Sequence, residues 1–131
     1  MNSYKRIFSR FYAVYFNYNQ YITKTSKDIK ILFMESLKIN NFDENLSNSI
    51  INNCTIQKDK ILKICGKYQK RQEGSIDKLL SIILYTAISE FLLNKTDYKI
   101  IISEYIKITI FIHPTGKEFI KSILHSIFND M

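Results

Sequence analysis

The sequence predicts an all-α domain, and three observations carry that expectation. It contains one proline and three glycines in 131 residues, too few for the many tight turns of an all-β fold. Its apolar residues recur three and four positions apart over long stretches, the spacing that gathers side chains on one face of a helix. Residues suited to capping helix N-termini stand just ahead of several of these stretches.

The first stretch, from about Tyr4 to Ile22, carries Ile7, Phe8, Phe11, Val14, Tyr15 and Tyr18 at helical intervals. Ser26 can cap a second helix that runs through Ile29, Leu32, Phe33 and Leu37. Asp43 can cap a third, longer one holding Leu46, Ile50, Cys54, Ile61, Ile64, Cys65 and Tyr68. Gly66 and the polar stretch 69–74 end it and divide a single domain, 1–131, into helical halves of about 1–72 and 73–131.

The plainest element spans Ser75 to Leu93, with Ile76, Leu79, Leu80, Ile83, Leu84, Ala87, Ile88, Phe91 and Leu92 on one face and Ser75 as its cap. Residues 97–112 are ambiguous. Lys107 to Ile112 alternate and are rich in β-branched residues, as in a strand. Tyr98, Ile101, Ile102, Tyr105, Ile106 and Thr109 nevertheless keep helical spacing, and a lone strand would have no partner, so a helix is expected. Pro114 closes that element, and Thr115-Gly116-Lys117-Glu118 has the form of a capping box. Phe119, Ile120, Ile123, Leu124, Ile127 and Phe128 then complete a last amphipathic helix. About six helices result.

Composition narrows the function. The chain is 46% hydrophobic and 24% charged, a globular balance. Its net charge of +7 suits a polyanionic partner such as nucleic acid or an anionic membrane surface. An apolar run long enough to span a bilayer is missing from the sequence. The basic, apolar start lacks a small-residue cleavage site, which argues against a signal peptide. Cys54 and Cys65 form no CxxC or Cys/His cluster, and such cysteine usage fits a reducing cytoplasm without zinc. His113 and His125 have no ligand set or nucleophile beside them in sequence, and Gly-rich phosphate loops, HExxH and GxSxG are absent. Neither an enzyme nor a cofactor is suggested.

Lys5, Arg6 and Arg10 share the first helix with Tyr12, Tyr15 and Tyr18. Cations that track phosphates beside rings that stack on bases are the elements of single-stranded RNA recognition. A solvated basic face and a membrane-surface helix fit the same pattern. A second basic stripe, Lys60, Lys63, Lys67, Lys70 and Arg71, fits a solvated face near a helix C-terminus.

Four blocks bear a resemblance to a known family. Ile76-Asp77-Lys78-Leu79, Ile82-Ile83-Leu84, Ala87-Ile88 and Glu90-Phe91-Leu92 resemble the NusB family segment L-D-R-V-E-x-A-I-L-R-I-A-L-Y-E-L. The run Tyr98 to Ile106 is similar to the family's P-Y-K-V-x-I-N-E-A-I, and Phe119 to Leu124 to its F-V-N-G-V-L. Arg10 to Tyr18 resembles R-x-x-A-x-Q-A-L-Y. The chain departs from the pattern at Leu80, Tyr85 and Ser89, where the family has Glu, Arg and Tyr.

The resemblance implies an all-α bundle of six to seven helices in two packed subdomains. It also implies transcription antitermination by binding the single-stranded boxA element of ribosomal RNA. The implied partners are the small-subunit ribosomal protein that acts as NusE and the antitermination complex on RNA polymerase. By position, Lys5, Arg6, Arg10, Tyr18, Lys99 and Phe119 would meet RNA, and Asp77, Leu80 and Tyr85 the protein partner. Two alternatives remain at this point. One is an interaction module, with homodimerisation possible, that keeps the fold without specific RNA recognition. The other is the RNA-targeting domain of a ribosomal RNA methyltransferase, disfavoured because the chain ends at Met131 without a cofactor loop.

Overall fold

A computed structural model of the chain describes residues 3–22, 29–69 and 77–130. Among these residues the chain forms α1 (Ser3–Ile22), α2 (Ile29–Leu37), α3 (Glu44–Ile56), α4 (Lys58–Gln69), α5 (Lys78–Leu93), α6 (Tyr98–Ile112) and α7 (Lys117–Asn129). A single 3-10 turn, Pro114–Gly116, links the last two, and no strand is present among the described residues.

The ambiguous segment 98–112 is helical throughout. Asp97 starts it by accepting the Lys99 backbone N–H at 2.8 Å. Ile101, Ile102, Tyr105, Ile108 and Thr109 then bury one face. Burial of that face outweighs the local β preference of Ile and Thr, because propensity is a weak term beside side-chain burial of about 1.5–3 kcal/mol per large residue.

Two expectations need correction. The long third helix is two helices, α3 and α4, which meet at Gln57. Gln57 leaves helical geometry (φ −103°, ψ 21°) while its N–H still bonds Asn53 O at 2.9 Å. The bend lets α3 lie against α1 and α5 while α4 packs on α5 and α7. Gly66 does not end α4, which continues to Gln69. The two cysteines therefore stand on different helices, both buried with free thiols.

The expected capping box at α7 is also absent. Gly116 occupies the N-cap with no side-chain bond, and Thr115 Oγ1 lies 3.3 Å from His113 Nδ1 instead. Asp43 does cap α3, accepting from the Leu46 N–H at 3.2 Å. Asp77 caps α5 through the Leu79 and Leu80 N–H groups at 2.8 and 3.4 Å. Ser26 and Ser75, the sequence-based caps of the second helix and the plainest helix, lie outside the described residues.

The larger core is built around α5. Ile83, Leu84, Ala87 and Ile88 meet Ile101, Tyr105 and Ile108 of α6, Ile120, Leu124 and Ile127 of α7, and Val14, Ile61 and Tyr68 from the first half of the chain. A smaller aromatic core joins Tyr12 to Ile29, Phe33 and Phe42. Its rings meet edge-on, Phe11 with Phe33 at 5.3 Å and Phe33 with Phe42 at 5.8 Å between centroids, a favoured aromatic arrangement.

Short polar side chains fix how the helices of the larger core approach each other. Ser47 Oγ donates to Ser9 O at 2.8 Å, and Ser89 Oγ to Ile50 O at 2.7 Å. Asn53 Nδ2 donates to Ser89 O at 2.8 Å, and Asn17 Nδ2 to Thr86 Oγ1 at 2.9 Å. Each such bond contributes about 0.5–1.5 kcal/mol and satisfies a group that would be costly to bury alone.

Gly116 is needed for space. A Cβ there would fall on both terminal methyl carbons of Leu80, and Leu80 is itself buried. Gly116→Ala is expected to destabilise the protein by about 1–3 kcal/mol through overpacking. Leu80→Val in the same chain should recover part of the loss, as a double-mutant cycle in urea would show. Simple additivity of the two substitutions would rule out the contact.

Candidate nucleic-acid interface

Helix α1 presents two kinds of cation. Lys5 and Arg6, on its first turns, are exposed. Arg10, one turn further along, is not: only 1% of it reaches solvent. Its Nε bonds Glu90 Oε1 at 2.8 Å, its Nη2 bonds Glu90 Oε2 at 2.9 Å, and its Nη1 reaches Glu104 Oε1 at 3.2 Å. The Tyr105 hydroxyl completes the group by donating to Glu90 Oε1 at 3.0 Å.

Burial acts against the guanidinium charge, but the hydrogen bond and charge of Glu90 more than offset it, and the Arg10 pKa lies above its ordinary value. Burial, reinforced by the charge of Glu90, raises the Tyr105 hydroxyl well above its ordinary range. Arg10, expected from position to meet RNA, instead ties α1 to α5 and α6. It leaves the set of surface cations.

Beside this ion pair lies a recess of about 240 Å³, lined by the polar side chains of Arg6, Asp43, Asn45, Ser49, Lys95 and Thr96 together with Leu46 and Leu93, with Arg10 and Glu90 also contributing. Lys95 and Thr96 belong to the α5–α6 connection, which Asn94 opens in the left-handed conformation (φ 56°). Lys99, exposed on the first turn of α6, lines a separate groove between α6 and α7. The structure thus brings Arg6 and Lys95 to one recess although they are far apart in sequence. Lys95, Asn45 and Ser49 were missed from sequence, since an isolated loop cation and two small polar residues carry no periodic signal.

The aromatic candidates lie elsewhere. Tyr12 is buried against Phe33 and Phe42, with centroids at 5.2 and 5.1 Å. Tyr18 is half-buried and lines a separate apolar cavity of about 460 Å³ with Phe11, Val14, Phe33, Leu79 and Phe111. Phe119 is half-buried against the larger core.

The three expected protein contacts also separate. Leu80 is turned inward, only 7% exposed, and packs over Gly116. An apolar side chain suits the position because here it faces the core. Tyr85 is half-buried, and its hydroxyl donates to Cys54 O at 2.9 Å; burial raises its pKa to about 12. Asp77 alone is openly exposed, and its Oδ2 lies 3.2 Å from His113 Nε2.

For Asp77, the slight burial that would raise its pKa is outweighed by His113 and two backbone N–H groups, which hold the carboxyl below its usual range. A depressed folded pKa gives stability that is present above the unfolded value, about 3.9, and lost as pH falls through the folded one. Asp77→Asn is therefore expected to lower stability modestly at neutral pH, where the carboxylate contributes, and to match wild type once the carboxyl is protonated in acid, so the acid limb of the stability curve flattens. Thermal melts at pH 3 and pH 7 test this, and an unchanged acid limb would refute it.

The sequence pattern of the NusB family matches residues 1–129. The chain belongs to the NusB family. A chain in a solved structure described as "Crystal Structure of a Plectonemic RNA Supercoil" has the same fold, with a TM-score of 0.79 and 14% identity over 96% of this chain and 95% of that one. No protein of curated function matches the sequence significantly. The described residues of this NusB-family chain form seven α-helices, and the backbone likeness agrees with the family match on the fold. No helix among the described residues is long and apolar enough to cross a membrane.

Proposed function

We propose that this protein is a non-catalytic antitermination factor that binds a boxA-type single-stranded element of ribosomal RNA. In this reading it acts with the small-subunit ribosomal protein serving as NusE, on RNA polymerase. The observation that carries the reading is the family match across residues 1–129. The exposed cations at the recess, Arg6 and Lys95, with Lys5 next to Arg6 on α1, support it. They would hold phosphates, while Asn45, Ser49 and Thr96 offer hydrogen bonds to bases or 2′-hydroxyls. Tyr18 and Phe119 keep the roles the family resemblance gives them, and Asp77 and Tyr85 form the proposed protein contact.

A titration of the full chain with boxA-like RNA and with scrambled RNA, each with and without the ribosomal partner, tests this. Preference for boxA that strengthens with the partner is expected; equal affinity for both RNAs in the partner's presence would overturn it. A second reading, a protein-interaction module, is favoured by Phe111, which is 66% exposed beside the apolar cavity. Self-association in sedimentation together with absent RNA binding would replace the first reading by the second.

A further inference from the structure

We propose that the groove between α6 and α7 docks an acidic, amphipathic helix of a partner protein. The three-residue turn Pro114–Gly116 folds α7 back along α6. The antiparallel pairing is seen where the Tyr98 ring, at the start of α6, meets the Phe128 ring, at the end of α7, 6.3 Å between centroids. Between the two helices runs a groove of about 450 Å³.

Both rims of the groove are cationic. On α6, Lys99, Ser103 and Lys107 are four residues apart and therefore form one stripe. On α7, Lys117, Lys121 and His125 repeat the same spacing and are all exposed. Lys99, Lys107, Lys117 and His125 line the groove, and no carboxylate does so. Lys107 contacts Glu104 at 3.5 Å but is 61% exposed, and Glu104 is also held by Arg10 at 3.2 Å. The lysine ammonium remains open to a further anion.

The floor between the rims is aliphatic. Ile102, Ile106 and Ile110, again four residues apart, run along it, from buried Ile102 through half-buried Ile106 to Ile110, which is 45% exposed. This combination decides the class of occupant. Single-stranded nucleic acid is held by rings that stack on bases, and no Phe, Tyr or Trp lines this groove, whose one ring is the His125 imidazole on the α7 rim. A phosphate strand would match the lysines but leave Ile110 and the open part of Ile106 against water. A helix with aliphatic residues at positions i, i+4 and i+7 and acidic residues on either side covers the stripe and meets both rims.

The test uses the full chain and a labelled helical peptide of about 18 residues, with leucines on one face flanked by glutamates. Controls are the same composition in scrambled order and a version with lysine in place of each glutamate. The amphipathic acidic peptide is expected to bind at least about tenfold more tightly than the scrambled one. Lys107→Glu with Lys117→Glu should weaken it by about tenfold or more and gain affinity for the lysine version. Ile110→Gln should weaken it without changing its salt dependence. All three positions are exposed, and circular dichroism reports whether each variant is folded.

Affinity for boxA-like RNA should be unchanged in every groove variant, which separates this surface from the RNA reading. No binding of the acidic peptide by the folded wild-type chain, or equal binding of the scrambled one, would overturn the proposal. Displacement of the peptide by oligouridine, with RNA affinity falling in step in the groove variants, would assign the groove to nucleic acid instead.

Discussion

Arg10→Ala is expected to lose about 3–5 kcal/mol of folding stability, the usual cost of removing one partner from a buried ion pair. The geometry explains why the loss should sit at the high end for this protein. Glu90 is 1% exposed and would lose all three guanidinium bonds that now satisfy its carboxylate, leaving a buried polar group without its cation. Glu104 would lose its bond to Arg10 as well, leaving the Tyr105 hydroxyl as the remaining side-chain donor to Glu90 among these residues. Urea denaturation gives the number directly. A loss below about 1 kcal/mol would mean that water reaches the site and that the pair is not sealed. Arg10→Ala with Glu90→Gln should lose less than Arg10→Ala alone, because the second substitution removes the stranded charge.

Lys5→Ala with Arg6→Ala is expected to leave stability within about 0.5 kcal/mol of wild type, since both side chains are exposed. Its effect should fall on RNA. Each phosphate contact on a single strand contributes about 0.7 to the slope of log affinity against log salt, so losing both should reduce the slope by about 1.4. Affinity for boxA-like and scrambled RNA should fall by similar factors, because phosphate contacts position a strand without reading it. Folded Arg10→Lys should keep the wild-type slope, as Arg10 is enclosed by Glu90 and Glu104. If the slope follows Arg10 and ignores Lys5 and Arg6, the proposed RNA face is wrongly placed.

The contrast between Arg6 and Arg10 shows what could be read in advance. Periodicity identified α1, α5 and α7 because their apolar stripes are continuous, and Asp43 was recognisable as a cap from its place before α3. It could not say which cation on α1 faces inward. Arg10 and Glu90 are 80 residues apart, and their pairing depends on tertiary packing that no local pattern encodes.

The bend at Gln57 was illegible for a related reason. Apolar spacing continues across it, and the break is fixed by where α3 and α4 must pack. The departures from the family pattern become intelligible only in three dimensions. Leu80 fills the core over Gly116, Ser89 bonds Ile50 O, and Tyr85 bonds Cys54 O, so each substituted side chain has an internal role. The α5–α6 connection holds Lys95 beside Arg6, which a reading confined to helical stripes passes over.

The span between Arg10 and its carboxylates also sets an order of events on the ribosome. Helix α1 is made first, but Glu90 follows 80 residues later and Glu104 follows 94 later. At about 5–20 residues per second, roughly 4–16 s pass between synthesis of Arg10 and of Glu90. Throughout that interval the nascent chain carries a basic N-terminal segment whose buried arginine has no carboxylate to receive it. The last step that seals α1 into the protein therefore waits for the second half of the chain.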